Sequence, residues 1–366
     1  MYIYELRKWP EFTWHDQELS AKLGTVRHRQ GKILGQMNAT GFKIKEEAIL
    51  KTLTLDVTKS SEIEGEILNP EQVRSSIARR LGLEIAGLIP ANRYIEGVVE
   101  MMLDATQNYS KPLTEDRLYN WQSALFPTGR SGLFKIRVGT WRNDAKGPMQ
   151  VVSGTAGKEK VHYEAPAAER LPEEMAAFLE WFNQSQEIDP VIKAGVAHLW
   201  LVTIHPFEDG NGRIARAVTD MQLARADGST QRFYSMSAQI EQEKMSYYNI
   251  LEKTQKGSLD ITEWLSWFLE CLNRSMNSTD QIVEKVQTKD NFWKEHEGVQ
   301  LNGRQSKMLN ILLDDFYGTL NVSKWARMNQ CSTDTALRDI QDLVKKNVLE
   351  QEDAGGRSTS YRLKAV

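Results

Sequence analysis

The chain has 366 residues, enough for two or three domains at roughly 150 residues each. With 40% hydrophobic and 26% charged residues it has the balance of an ordinary globular protein, which excludes global disorder, collagen-like sequence and a disulfide-stapled mini-protein. Against 49 acidic side chains stand 46 basic ones, a net charge of −3, so no whole-chain field draws it to nucleic acid or membrane. The two cysteines, Cys271 and Cys331, lie far apart without metal-ligand spacing, and read as reduced thiols of a cytoplasmic protein. The N-terminal MYIYELRKWPEF lacks a signal-peptide pattern. The best apolar stretch, Val191 to Ile204, is interrupted by Lys193 and His198 and falls short of the about 18 apolar residues of a membrane span, so it predicts a buried core helix and no membrane association.

In chain order, residues 1–14 read as a short extended start, followed by helical periodicity from Asp16 to Ser60. Pro70 suits the first turn of a further helix. After the Ile89-Pro90 loop, Asn92 to Asn108 is amphipathic, and Thr114 is placed to cap a helix opening at Glu115. Between Gly139 and Pro166 the signal changes. Met149–Ser153 and Lys160–Glu164 are β-prone runs separated by Gly154 to Glu159, which predicts a hairpin. Helical period returns over Pro172–Asn183, Pro190–Ile204, Asn211–Asp227, Gln239–Gln255 and Asp260–Gln287, and the polar stretch Thr288–Gly298 reads as a separator. The last segment reads as helices over Gly303–Phe316, Val322–Met328 and Thr333–Lys346, the last with Thr333 as N-cap, then two strand-like runs around Gly355-Gly356. The domain boundaries expected are 1–114, 115–287 and 298–366.

The densest chemistry lies in His205-Pro-Phe-Glu-Asp-Gly-Asn-Gly-Arg-Ile-Ala-Arg216. Pro206 and the Gly210-Asn211-Gly212 run break one helix just before another begins. Two glycines around an asparagine let backbone N–H groups converge on an anion, and the helix N-terminus adds partial positive charge. Arg213 and Arg216, three apart, can face that same anion. Asp209 suits Mg²⁺, which takes one or two protein carboxylates beside phosphate oxygens. His205 can accept a proton near neutral pH. The set reads as a site for phosphoryl or nucleotidyl transfer.

This segment resembles the Fic (filamentation induced by cAMP) family, whose motif HPFx[D/E]GNGRxxR is matched at every defined position. The resemblance implies a mainly α fold, a helical core with a β-hairpin flap, and transfer of AMP from ATP to a Ser, Thr or Tyr hydroxyl of a target protein or of the enzyme itself. By position, His205 would be the general base, Asp209 would hold Mg²⁺, and Gly210, Asn211 and Gly212 would cradle the phosphates. Arg213 and Arg216 would bind them, Arg216 towards the γ end. The predicted hairpin would be the flap that clamps a target strand by β-augmentation, lined by Val151, Val152 and Val161, with His162 beside them. Tyr247, Tyr248, Asn249 and Leu251 would border the adenine. Ser60-Ser-Glu-Ile-Glu64-Gly65 is similar to the family's inhibitory motif [S/T]xxxE[G/N], with Ser60 and Glu64 on one helix face. Removal of AMP from modified targets, or transfer of another nucleotide such as UMP, is compatible with the same motif, as is a homodimer.

Residues 298–366 resemble a winged helix-turn-helix. An apolar stripe runs through Leu337, Ile340, Leu343 and Val344, and Arg338, Lys345, Lys346, Arg357 and Arg362 are candidate phosphate contacts. Asp334, Asp339 and Asp342 on the same helix argue against DNA and for a protein partner. A nucleotide-sensing DNA-binding regulator is therefore the alternative reading from a different functional class.

Overall fold

The computed structural model describes residues 1–39, 42–83, 88–145, 147–154, 160–184, 187–313, 316, 319–352 and 359–364. Among them the chain is mainly α-helical, with fifteen α-helices and three two-stranded antiparallel sheets. It divides into two compact units, 1–279 and 280–366. No helix among the described residues is long and apolar enough to cross a membrane.

The first unit is built around the helix Pro190–Ile204, apolar on every face and buried along almost its whole length. Helices hydrophobic all round have no solvent side to present and end up at the centre of a fold. Its N-cap is Asp189, whose carboxylate takes the Val191 N–H at 2.7 Å. Gly195 admits the helix Thr262–Ser275: a Cβ there would fall 2.9 Å from Leu265 Cδ2. The two polar residues that interrupt the apolar run are both satisfied. Lys193 donates to Gln184 O at 2.7 Å, and burial pulls its pKa down to about 8. His198 bridges Thr219 Oγ1 at 2.9 Å and Tyr247 Oη at 2.7 Å. The helix Asn211–Asp227 packs along this central helix, and Phe42–Ile63 lies against Asn211–Asp227.

Several helix ends follow local sequence. Pro70 opens Pro70–Leu81, Asn92 caps Arg93–Gln107, and Thr114 Oγ1 accepts from Arg117 N to cap Glu115–Leu125. The hairpin strands are Gln150–Ser153 and Lys160–Glu164, with a bulge between Val151 and Val152. The turn expected between them, 155–159, lies outside the described residues.

Other expectations need correction. The extended start contains a 3₁₀ turn, Ile3–Glu5. The long period after Asp16 belongs to two helices, Asp16–Ala39 and Phe42–Ile63. The run 239–255 is two helices that meet at Glu243, whose carboxylate is gripped by Arg274 at 2.6 Å through both Nε and Nη2. The run 260–287 breaks at Met276, and the next helix, Asn277–Glu295, continues through most of the supposed separator. Lys and Glu are good helix formers, so a polar stretch need not be a loop.

The second unit holds the helices Gly303–Leu313, Val322–Asn329 and Thr333–Lys345 and the strand pair Leu349–Gln351 with Tyr361–Leu363. Its core is formed by Met308, Leu309, Trp325, Ile340, Leu343 and their neighbours. The N-cap of the third helix is Ser332, not Thr333. The buried stripe of that helix runs through Ala336, Ile340 and Leu343, whereas Leu337 is exposed. Asp339 is turned inward and takes Arg304 Nε at 2.7 Å and Asn302 Nδ2 at 2.8 Å, and Asp342 takes Gln305 Nε2 at 2.8 Å. Both acids thus tie this helix to Gly303–Leu313 and the residue before it. Arg338 and Lys345 are exposed, Lys346 pairs with Asp342 and Arg362 with Glu350. Gly355, Gly356 and Arg357 lie outside the described residues.

Candidate active site

The central helix terminates on His205, which adopts left-handed backbone angles of φ 53° and ψ 59°. Its Nδ1 faces Val202 O at 3.3 Å. A proton on Nδ1 satisfies that carbonyl and leaves the Nε2 lone pair available. Desolvation pushes the imidazole pKa down to about 4, with the Arg142 charge acting in the same direction against Val202, Glu64 and Asp209. The ring is therefore neutral, and able to accept a proton, at ordinary pH.

The next residues form a loop braced from inside. Asn211 Nδ2 donates to Phe207 O at 2.8 Å, and Phe207 N donates to Asn211 Oδ1 at 2.9 Å. The Asn211 side chain is thus spent on closing the loop. Gly210, at φ 90°, makes a turn that a side chain would strain. A Cβ on Gly212 would fall 2.1 Å from Glu64 Oε1 and 3.2 Å from Arg216 Nη1. The first turn of the following helix carries amide N–H groups with no partner inside the helix. The Glu64 carboxylate occupies the space over them.

Arg216 is buried and held by three contacts to one short segment. Nε donates to Ser60 Oγ at 2.8 Å, and Nη2 to Ser60 O at 2.7 Å and to Glu64 Oε1 at 2.8 Å. Burial, the largest single influence, would raise the Glu64 pKa, but the charge and hydrogen bond of Arg216 together with the charges of Arg213 and His205 outweigh it and hold the carboxylate below its usual range. Glu64 follows directly after the Phe42–Ile63 helix instead of lying within it, and Gly65, at φ 85°, turns the chain away. Arg213 donates through Nη1 to Tyr94 Oη, lies 3.5 Å from Glu66 and covers the Phe126 ring. Arg213 Nε and Arg216 Nη1 are buried without a hydrogen-bond partner among the described residues. Asp209 accepts from Gly210 N at 2.6 Å and from Ser131 Oγ, and remains part-exposed. The structure thus brings His205, Asp209, Gly210, Gly212, Arg213, Arg216, Ser60 and Glu64 around one loop.

The flanking candidates divide. Val152 and Val161 are cross-strand partners in the hairpin and both are exposed, whereas Val151, opposite Tyr163, packs into a small cluster with Tyr4 and Tyr163. His162 Nδ1 meets Glu252 at 2.7 Å and ties the hairpin to the helix Lys244–Gln255. Tyr248 Oη reaches Ile63 O at 3.4 Å and so lies beside the Glu64 segment. Tyr247 and Leu251 are buried, with the Tyr247 hydroxyl taken by His198, and Asn249 is exposed. Sequence reasoning missed Tyr94, Ser131 and Arg142. Arg142 Nε donates to His205 O at 2.8 Å, a contact to main chain that no local spacing signals.

The turn thus sets a histidine on the end of one helix and two arginines on the start of the next. Residues 112–223 match the Fic/DOC family, so the chain carries that domain, and residues 2–83 match a domain of unknown function, DUF4172. The chain is 33% identical over 105 residues to "Protein adenylyltransferase Fic" of Drosophila mojavensis, a stretch covering 28% of this chain and 19% of that protein. It is 30% identical over 153 residues to the protein of the same name from Drosophila willistoni, covering 39% and 28%. The matched stretches thus span less than a third of these relatives' own length. In fold, the chain is similar to a Fic family protein from Desulfovibrio desulfuricans, with a TM-score of 0.54 at 20% identity over 97% of this chain and 98% of that one. It is also similar to a Fic domain containing signaling protein from Bacteroides thetaiotaomicron, with a TM-score of 0.51 at 21% identity over 71% and 98%.

Proposed function

We propose that the chain is a protein adenylyltransferase that moves AMP from ATP to a Ser, Thr or Tyr hydroxyl of a protein, itself included, and that Glu64 holds this activity low. The observation that carries the reading is the pair of buried, unpartnered donors, Arg213 Nε and Arg216 Nη1, beside a glycine that leaves no room for a side chain. Buried guanidinium donors without partners are costly unless an anion completes them. The present occupant of that space is a carboxylate, and carboxylate and phosphate oxygens share the same donors. The activity in the names of the relatives supports the same reading.

In this reading His205 Nε2 takes the proton of the incoming hydroxyl, whose oxygen bonds to the α-phosphorus as the bond to the pyrophosphate oxygen breaks. The Gly210–Gly212 amides and both arginines hold the phosphates in line. The target segment lies along an edge of the hairpin, against Val152 and Val161. Asp209 is the residue that would hold Mg²⁺. No cluster of three His, Cys, Asp or Glu side chains occurs among the described residues, and a lone part-exposed carboxylate fits an ion that keeps phosphate and water oxygens. When bound, the ion would neutralise charge on the phosphates. Residues 1–114 then form the regulatory region, 115–287 the catalytic core and 298–366 a winged-helix-like module. Cys271 and Cys331, unpaired, suit the reducing cytoplasm.

The test is to incubate the Glu64→Gly protein with labelled ATP, UTP and CTP in cell lysate with Mg²⁺ and to map the labelled peptides. Label from ATP on a protein hydroxyl is expected. Label from UTP alone, or release of AMP from a pre-modified protein without any transfer, would replace this reading by one of its rivals.

A further inference from the structure

Arg142 is wholly buried and distant in sequence from every group of the motif, yet it is bonded to both sides of the site. Its Nε donates to His205 O at 2.8 Å, its Nη2 to Pro166 O at 2.5 Å and its Nη1 to Asp144 Oδ1 at 2.8 Å. Its own backbone N–H donates to Pro206 O at 2.9 Å. Asp144 in turn takes the Ala168 N–H at 2.7 Å. Pro166 follows the foot of the hairpin, which is closed by Ala165 N donating to Met149 O at 2.9 Å. The neighbouring Trp141 packs on Phe207 with ring centroids 5.1 Å apart. A second stitch runs from Tyr163 Oη, in the hairpin, to Thr203 O at 2.7 Å, two residues before His205.

The chemistry of these partners calls for a guanidinium. Two carbonyl oxygens and a carboxylate lie in different directions, and a planar fork can reach all three, whereas an ammonium on a flexible stem cannot hold them in one plane. The carbonyl it holds belongs to a non-glycine residue with left-handed angles. Such a conformation is unfavourable and persists only where its surroundings over-determine it.

We propose that Arg142 is a positioning residue for His205, a guanidinium that fastens the left-handed backbone of the base to the foot of the 150–164 hairpin so that base and flap keep one register. This rests on His205 being the base and the hairpin the flap. Without the fork, His205 relaxes towards ordinary backbone angles and its imidazole swings away from the hydroxyl that the hairpin presents. The phosphate donors, on the next helix, are untouched.

The experiment compares Glu64→Gly with the double variants Glu64→Gly/Arg142→Lys and Glu64→Gly/Arg142→Gln. Self-labelling with radiolabelled ATP and Mg²⁺ is measured per folded molecule from pH 4 to 9, together with the KM for ATP and the NMR titration of the His205 ring, which needs no turnover. Arg142→Gln should lower the rate about 100-fold, the order expected for an ångström-scale misplacement, with KM for ATP unchanged. Its His205 titration midpoint should rise, because a positive charge beside the ring is lost while Glu64 is already absent and Asp209 remains. Arg142→Lys keeps the charge and should leave the midpoint in place while still losing about tenfold in rate. A wild-type rate per folded molecule in Arg142→Gln, or an unmoved midpoint, overturns the proposal. Should Arg142→Gln not fold, a full rate in Arg142→Lys does so. If Glu64→Gly labels nothing, the adenylyltransferase reading fails, and the positioning role is read instead from the His205 backbone NMR shifts, which should move in both Arg142→Gln and Arg142→Lys and overturn the proposal if they do not.

Discussion

Replacing Glu64 by glycine removes one of three contacts that fix Arg216 and leaves the other two, both to Ser60, in place. The guanidinium therefore stays positioned while the Nη2 hydrogen that served Glu64 is freed, and the carboxylate that fills the space over Gly212 is gone. A hydrogen bond to a charged group contributes about 1.5–3 kcal/mol net. The Glu64 side chain is 32% exposed, which argues for the lower half of that range. A triphosphate that uses Arg216 must displace this contact in the wild type and need not in the variant. At 1.4 kcal/mol per factor of ten, the productive complex should gain roughly ten- to fortyfold. The assay is the initial rate of ³²P transfer from α-labelled ATP, with Mg²⁺ and saturating nucleotide, for wild type, Glu64→Gly, Ser60→Ala and Glu64→Gly/His205→Ala. Ser60→Ala removes only the hydroxyl contact to Nε and should activate less, by about two- to tenfold for a neutral partner. The double variant should be silent, because freeing the phosphate site does not replace the base. Equal rates for wild type and Glu64→Gly would refute the reasoning, since the contact seen between Glu64 and Arg216 would then have no bearing on turnover.

Two further outcomes follow from the same site. His205→Ala should keep nucleotide binding, measured by calorimetry, and lose about 10²–10⁴ in transfer rate; with the histidine pKa at about 4, the active, deprotonated form is complete above about pH 5, so the rate in the parent should fall only when the pH drops towards 4. Gly212→Ala should abolish activity in any background by filling the nest, and its melting temperature should drop in wild type but much less in Glu64→Gly, because the atom its Cβ meets first belongs to Glu64; additive effects in that double-mutant cycle would contradict the contact, for which coupling of about 0.5–3 kcal/mol is expected.

Legibility from sequence followed the range over which each signal acts. The turn from His205 to Arg216 was readable because its residues are contiguous, and a nest, a helix N-terminus and two arginines three apart are all local geometry. Asn92, Thr114 and Pro70 marked helix starts for the same reason. Arg142 was not readable, since it bonds carbonyl oxygens 24 and 63 residues away, and carbonyls carry no residue identity. Tyr94 and Ser131 likewise reach Arg213 and Asp209 across 119 and 78 residues. Tyr247 and Tyr248 are adjacent in sequence, but only tertiary packing decides that the first hydroxyl goes to His198 and the second towards Ile63. The third helix of the second unit misled for a related reason. Its inward face includes Asp339, which Arg304 neutralises, so a pattern that counts only apolar residues assigns Leu337 to the core and the acid to the surface.

The helix that delivers Glu64 also carries an unbalanced charge, and this gives a consequence independent of catalysis. Asp56, fully buried two turns before Glu64, accepts from Ser235 Oγ at 2.5 Å and faces Asp220, which is already paired with Arg232. Two carboxylates thus share one guanidinium, and Asp56 Oδ2, Asp220 Oδ2 and Arg232 Nη2 have no hydrogen-bond partner among the described residues. Desolvation, then the Asp220 charge, pushes the Asp56 pKa up to about 7. In the unfolded chain the group titrates near 3.8. Between these values the folded protein holds a proton that the unfolded chain has released, so folding stability falls as pH rises through the window. The slope is at most about 1.4 kcal/mol per pH unit for one proton, which over roughly three units sets an upper bound of about 4 kcal/mol. Asp56→Asn keeps an acceptor for Ser235 and cannot ionise. With the two proteins taken as equal below the unfolded pKa, the variant should lead by about 1.6 kcal/mol at pH 5, where the unfolded wild type is already ionised, and by up to about 4 kcal/mol at pH 8. Denaturant unfolding at the two pH values measures the difference, in which Asp227 largely cancels and the Asp56–Asp220 pair is read together. The same stability change at pH 5 and pH 8 would mean that Asp56 keeps its ordinary pKa in the folded protein.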